Sequence, residues 1–466
     1  MERIYIKDLS EHIDKEVTIK GWIDVRRDQG KMIFFDFRDM SGKMQGVVLP
    51  NATEALAVGE KVRPEWVVEV KGKVNKRPDN AVQKDKLNGE IELEILEITV
   101  LNEAQTPAFD IEGDGKEINE EVRLRDRYID LRRERMQKNI RNRHEITHFV
   151  RDFYKKEGFA EIETPNLTKA TPEGARDYVV PSRLEQGKFY ALPQSPQQYK
   201  QLLMTAGFEK YFQFARCFRD EDTRGDRQPE FTQIDMEMSF VEQEDVIAIN
   251  EKMLIELVKT LYPEKQIQET PFPRITYKEA MEKYGSDRPD LRKDKNNPDE
   301  LAFCWVIDFP MFEKTDSGEW TFTHNPFSSP QPAHILNLMN GEKIEDILAS
   351  QYDIVLNGSE IGGGSIRSHK PEILTKVFET MGYATEKIKE NFGHILKAFS
   401  SGTPPHGGIA FGFDRLVMLL QNEPNIREVI AFAKTGEGKD LMMDAPAEVG
   451  QKQLDELGIK ILKDNK

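Results

Sequence analysis

Alternation of apolar and polar side chains dominates the first hundred residues. Stretches 17–25, 33–37 and 44–49 each keep the two-residue period of a half-buried strand. Two further runs, 66–70 and 91–101, are also strand-like, and Ser41-Gly42 and Asn88-Gly89 mark turns between runs. Five strands in so short a stretch predict a small closed barrel. Between 102 and 120 the pattern lapses. Thr106-Pro107 and the glycines Gly113 and Gly115 lie among acids, the composition of a hinge. The period then becomes helical: Met136, Ile140, Ile146 and Phe149 mark one face of a long amphipathic helix starting near Arg133. Beyond it, 160–165 reads as a strand ended by proline. Segments 212–218 and 230–241 read as antiparallel strands around a charged loop. Segment 246–261 reads as a helix, and 409–413 as a buried strand running into a helix at 415–420. Hairpin strands with flanking helices predict an α+β domain, not a doubly wound sheet.

The pattern divides the 466 residues into 1–103, a linker at 104–132, and 133–466. For the first part the oligonucleotide-binding barrel (OB fold) is the leading architecture. Composition narrows the setting. No apolar run reaches the ~18 residues of a membrane helix, and Met1-Glu2-Arg3-Ile4-Tyr5 has no signal-peptide core. Cys217 and Cys304 are too few for a disulfide framework or a structural zinc site, so a reduced, cytoplasmic setting is expected. With 66 basic against 82 acidic residues the net charge is −16. That disfavours indiscriminate nucleic-acid binding but leaves room for a local basic surface.

Several segments concentrate candidate chemistry. Phe218-Arg219-Asp220-Glu221 opens a loop that closes at Glu230-Phe231. Most charge runs are solvated turns. Here a strand leads directly into Arg219 and Phe231 opens the returning strand, so an arginine for phosphate and an aromatic face for a purine would stand together. Asp353 and Glu360 precede the run Gly362-Gly363-Gly364, and Arg367 follows it. Hard carboxylates suit Mg²⁺ carried by a nucleoside triphosphate, although a solvated turn is the commoner identity for such a stretch. No Gly-Lys-Ser/Thr follows, so the run is not a P-loop. Gly407-Gly408 leads through a strand to Arg415 at a strand-to-helix junction. Gln194-Ser195-Pro196-Gln197 reads as a helix start with Ser195 as the cap, leaving Lys200 either an exposed helix lysine or a binding group.

In this order the motifs resemble the class II aminoacyl-tRNA synthetases, specifically the bacterial-type aspartyl branch, over nearly the whole chain. Phe218 to Glu221 is similar to motif 2, Gly412-Phe413-Asp414-Arg415 to motif 3, and the helix and strand through Thr164-Pro165 to motif 1. Thr171 to Tyr178 resembles a mobile loop that closes over the amino acid. The resemblance implies an antiparallel-sheet catalytic domain with flanking helices behind an OB-fold anticodon-binding domain. The implied reaction is ATP-dependent activation of L-aspartate and its transfer to the 3′ end of tRNA(Asp), by a homodimer. By resemblance, Arg219 holds the α-phosphate and the reacting carboxylate, Glu221 and Phe231 hold adenine, and Arg415 holds the γ-phosphate. Asp353 and Glu360 bind Mg²⁺. Lys200 and Arg367 pair with the substrate's side-chain carboxylate, a pairing that favours aspartate over asparagine. Ser195, Gln197, Asp235 and Glu173 receive its ammonium, and His324 lines the pocket. Arg27, Phe34, Gln45, Arg77 and Glu92 fall where the family reads the anticodon, with Phe34 left open between base stacking and barrel core.

One departure stands out. Members of this branch carry a whole domain between motifs 2 and 3, and here only a short polar bridge near 288–300 occupies that place. Three other readings remain at this stage. One is a relaxed enzyme that also charges tRNA(Asn). Another is a catalytically silent RNA-binding paralogue, which would have no use for Arg219, Glu221, Asp353, Glu360 and Arg415. The third is an amide-forming synthetase, which would have no use for the barrel.

Overall fold

A computed structural model describes residues 2–85, 87–170 and 174–462. The chain divides into two compact units, Met1–Ile111 and Glu112–Lys466.

In the first unit, strands β1 (Glu16–Gln29), β2 (Met32–Asp39), β3 (Gly42–Val48), β4 (Val67–Lys76) and β5 (Ile91–Asn102) close into a barrel in the order β1-β2-β3-β5-β4. Burial along β2 alternates residue by residue. Ile33, Phe35 and Phe37 fill the barrel, while Phe34 and Asp36 face outward. The side-chain period of two leaves no other arrangement once one face is packed.

In the second unit an eight-stranded sheet carries the architecture. Its strands are β6 (Ala160–Glu161), β7 (Lys210–Phe218), β8 (Glu230–Ser239), β9 (Arg274–Thr276), β10 (Phe303–Ile307), β11 (Gln351–Leu356), β12 (Ser359–Ile366) and β13 (His406–Gly412). The spatial order is β9-β10-β11-β12-β13-β8-β7-β6. All neighbours are antiparallel except the parallel edge pairs β9–β10 and β6–β7. Ile234, Met236 and Met238 of β8 and Ile409 and Phe411 of β13 join the main core. They pack with helices α1 (Glu134–Lys156), α3 (Gln243–Leu261) and α4 (Phe413–Leu420), while α2 (Gln197–Thr205) packs beside β8. Helix α1 begins with Glu134 and ends with Lys155 and Lys156, charges that complement the helix dipole. A capping box between Glu242 and Asp245 starts α3.

Three sequence expectations change. The 104–132 linker is ordered from 112 onward as part of the second unit, with short helices at Glu120–Arg125 and Arg127–Asp130. Three of its charges, Arg123, Arg127 and Asp130, are interior because they are neutralised: fully buried Asp130 takes Arg123, Arg127 and Arg133, and Arg123 and Arg135 both clamp Glu428. The strand at 160–165 shrinks to Ala160–Glu161, and further on the Thr164 N–H turns to the Gln213 side chain. Helix α2 starts at Gln197 after Pro196, so Ser195 lies one position ahead of the cap, where its hydroxyl accepts from Gln197 N at 3.4 Å.

Candidate active site

On the barrel, the strand register places Arg27 opposite Phe34, Phe34 opposite Val47, and Asp36 opposite Gln45. Arg27 forks onto Asp36 with bonds of 2.8 and 2.9 Å. Glu92 lies across from Asn75 on β4–β5. Phe34 is therefore outside, next to an arginine and an amide, and is not core. Arg77 is committed differently: its Nε donates to the Ile91 carbonyl at 2.9 Å, bracing the loop before β5.

In the second unit, one cleft of about 350 Å³ gathers Ser195, Gln197, Lys200, Arg219, Glu221, Phe231, Asp235, His324, Asp353, Glu360, Arg367 and Arg415. Glu173 lies outside the described residues. The central strands bring them together. Along β8, Gln233, Asp235 and Glu237 alternate with the apolar Ile234, Met236 and Met238, so three polar side chains share one face. β13 lies opposite, with Gly408 across from Glu237. A side chain at Gly408 would collide with the Glu237 carboxylate, so glycine is what lets Glu237 sit there.

Lys200 is 2% exposed, so the surface-lysine alternative fails. Its Nζ donates to Asp235 at 2.6 Å and lies 3.2 Å from Glu237. Arg367 holds Glu237 through Nε at 2.9 Å and Nη2 at 3.1 Å, and also donates to Ser365 Oγ and the Gly408 carbonyl. The expectation of two cations waiting for a substrate carboxylate is thereby corrected: Glu237 already bridges them. An ammonium has three donors and a guanidinium five. Among the described residues, these contacts leave one N–H on each. Glu237 thus fixes both cations and leaves a pair of donors for one further carboxylate.

Burial raises the Asp235 carboxyl above its ordinary range, with Lys200 opposing. For Glu237 burial also pushes upward, but Arg367 and Lys200 outweigh it and hold the carboxyl low. Asp235 Oδ2 is buried and makes no close hydrogen bond, although the buried Tyr211 hydroxyl acts on the same carboxylate. An anionic acceptor with no close hydrogen bond, lining a cleft, is a site for a cation such as an amino-acid ammonium.

At the other end, the Arg219 guanidinium sits over the Phe231 ring, 5.1 Å from its centroid. Arg415 donates to the Glu360 main-chain carbonyl and to Asp226, the latter at 3.1 Å. Asp353 on β11 and Glu360 on β12 act on each other. Burial, then Glu360, raises the Asp353 carboxyl well above the carboxylate range, while Gln351 donates to it at 2.8 Å. Burial lowers the His324 imidazole, against the pull of Glu360, and its Nδ1 stands 3.9 Å from Asp353. Two hard carboxylates with few cationic neighbours fit a divalent cation. Among the described residues no group of three or more His, Cys, Asp or Glu side chains could hold a metal unaided, so the remaining ligands would be phosphate oxygens.

Several contributors escaped the sequence reading. Glu237 was signalled by the alternation along β8. Gln194 braces the segment before it: its Oε1 accepts from Ala175 N at 3.0 Å and its Nε2 donates to the Ala175 carbonyl at 2.8 Å. Asp226 and Gln228 also line the cleft, and Gln228 Nε2 is a buried donor without a partner. Loop positions such as these carry no periodic signal.

Two family models match the chain: an OB-fold nucleic-acid-binding domain over 17–101, and the class II tRNA synthetases of the D, K and N group over 119–436. This chain belongs to the class II tRNA synthetases. An aspartate–tRNA ligase of Staphylococcus saprophyticus is 40% identical, over 96% of this chain and 97% of that one. The alignment occupies 576 positions against 466 residues here, so at least 576 − 466 = 110 positions of that relative have no counterpart. Among solved structures, the Pyrococcus horikoshii asparaginyl-tRNA synthetase bound to asparaginyl-adenylate aligns with a TM-score of 0.75 at 21% identity, over 93% of this chain and 98% of that one. The Entamoeba histolytica aspartyl-tRNA synthetase aligns at 0.72 and 22%, over 93% and 91%. At such identity these neighbours speak for the synthetase fold alone. No helix among the described residues is long and apolar enough to cross a membrane.

Proposed function

We propose that the chain is an aspartate–tRNA ligase: it joins L-aspartate to ATP as aspartyl-adenylate, then passes the aspartyl group to the 3′ end of tRNA(Asp). The observation that carries this reading is the buried Lys200–Asp235–Glu237–Arg367 cluster. It offers two spare N–H donors and one carboxylate oxygen without a close hydrogen bond, the complement of an aspartate side chain and ammonium. An asparagine amide would bring a neutral group to two buried cations, at a cost of about 2–3 kcal/mol.

In this reading Phe231 and Glu221 take adenine and Arg415 exchanges Asp226 for the γ-phosphate. Arg219 neutralises charge developing between the aspartate carboxylate and the α-phosphate, so positioning and electrostatics supply the catalysis. Asp353 and Glu360 would hold Mg²⁺, which when bound neutralises the phosphates. The face bearing Arg27, Phe34, Gln45 and Glu92 would read the anticodon by stacking and base-edge hydrogen bonds. Two free, buried cysteines support a reducing, cytoplasmic location. The likeness of 134–165 to motif 1 supports a homodimer, and sedimentation at twice 53.8 kDa checks it.

The test is charging of purified tRNAs with labelled aspartate. Label on tRNA(Asp) is expected. Label on tRNA(Asn) as well would make the enzyme relaxed in its tRNA choice, and label on neither would refute the reading.

A further inference from the structure

An amide presents a carbonyl or an NH₂ to a ligand according to which way it is turned. An ammonium is held by the first and repelled by the second. Gln197 lines the cleft, and nothing within its own side chain decides that orientation. The residues behind it do. His406 opens β13 and is fully buried. Its Nδ1 lies 2.8 Å from the Pro404 carbonyl oxygen. A carbonyl only accepts, so Nδ1 carries the proton. Burial pushes the imidazole down to about 4, so the ring is neutral and Nε2 is a bare acceptor.

The Gln201 amide stands 3.2 Å from that acceptor and must offer its NH₂. Its Oε1 is then the atom facing Gln197, whose Nε2 donates to it at 3.1 Å. With Nε2 engaged, Oε1 is the end of Gln197 left to the ligand. Gln201 is fully buried and Gln197 is 4% exposed, so little water competes for these bonds. The two glutamines are four residues apart on α2, on one helix face.

We propose that His406 and Gln201 are positioning residues: the Pro404–His406–Gln201–Gln197 relay turns the Gln197 carbonyl oxygen toward the substrate ammonium, beside Asp235 Oδ2. The proposal rests on the aspartate-activating function proposed above and on Gln197 being an ammonium contact, the role that the family resemblance implies for it.

Calorimetry with two inert ligands tests it, aspartyl-sulfamoyl-adenosine and its des-amino succinyl counterpart. Gln201→Met frees Gln197 to turn. It should weaken the aspartyl ligand on the order of tenfold to a hundredfold, the range of one hydrogen bond to a charged group, and the succinyl ligand less than twofold. Gln197→Met should do the same, and the double variant should add nothing. Gln201→Glu, protonated on the oxygen that faces His406 Nε2, still accepts from Gln197 through the other oxygen and should restore aspartyl affinity relative to Gln201→Met. Equal weakening of both ligands by Gln201→Met would make its role merely structural and overturn the proposal. A selective loss with Gln197→Met but none with Gln201→Met would overturn the relay alone. No loss with Gln197→Met would instead remove the ammonium contact on which the relay rests.

Discussion

Replacing Lys200 by methionine isolates the electrostatics of the amino-acid pocket. The two side chains are of similar length, so packing on α2 is largely preserved. The charge balance is not. Lys200 and Arg367 face Asp235 and Glu237, two cations against two anions. Without Lys200 the cluster is left one negative charge in excess, with Lys200 at 2% and both carboxylates at 1% or less exposure. Asp235, already raised by burial and held down chiefly by Lys200, takes up a proton to restore neutrality. The substrate then loses a charge-assisted hydrogen bond on its side chain and an anionic partner for its ammonium. Each bond to a charged group contributes about 1.5–3 kcal/mol. Allowing for non-additivity, the loss is about 2–4 kcal/mol, or about 30- to 700-fold in kcat/KM for aspartate. ATP–pyrophosphate exchange measures it. Asparagine presents a neutral side chain, so its weak exchange should fall less and the aspartate-to-asparagine ratio should narrow. A fall of less than threefold for aspartate, or equal falls for both amino acids, would refute the reasoning.

Other consequences are as specific. Phe34→Ala should raise KM for tRNA by roughly 5- to 150-fold, the worth of one base stack, and leave ATP–pyrophosphate exchange untouched. Asp353→Asn should raise the Mg²⁺ concentration for half-maximal exchange more than tenfold, read from a magnesium titration. Glu428 is held at about 2, since Arg123 and Arg135 outweigh the opposing effect of burial. A depressed acid stabilises the fold above its unfolded value near 4.3 and loses that contribution as pH falls toward 2. Glu428→Gln should therefore lower the unfolding midpoint at neutral pH, and the gap to the parent should close progressively below pH 4.5.

The barrel was legible because its strands pack one face and expose the other: alternation marked three of them, and strand-like runs between turn signals marked the other two. Phe34 stayed open in the sequence because both faces of its strand carry apolar residues, and burial along the strand decides it. Ile33 and Phe35 fill the interior, and the residue between them must face out. The polar face of β8 is written in the same alternation but went unread: Glu237 lies two residues along the strand from Asp235. What the sequence hid depends on distant partners. Arg123 and Arg127 fell in an expected linker because their distant partners, the Glu428 carboxylate and the carbonyls of Arg427, Ile430 and Ala431, lie some three hundred residues away. The dependence of Gly408 on Glu237 is likewise visible only when β13 lies against β8. The residues alone left Lys200 open between an exposed helix lysine and a binding group, and its burial against two carboxylates excludes the first.

The bridge at 288–300 is stapled by its own side chains. The Asp290 carboxylate accepts from Arg292, and Glu300 accepts from the main-chain N–H groups of Lys293 and Asp294. The strands on either side of this bridge, β9 and β10, pair directly at the sheet edge.

Aspartate-dependent ATP–pyrophosphate exchange by the whole chain, with asparagine and lysine as controls, tests the central claim most directly. The account predicts robust exchange with aspartate and little with either control. Exchange driven by asparagine or lysine would contradict the roles given to Lys200 and Arg367. Folded protein with no exchange would contradict the enzyme itself.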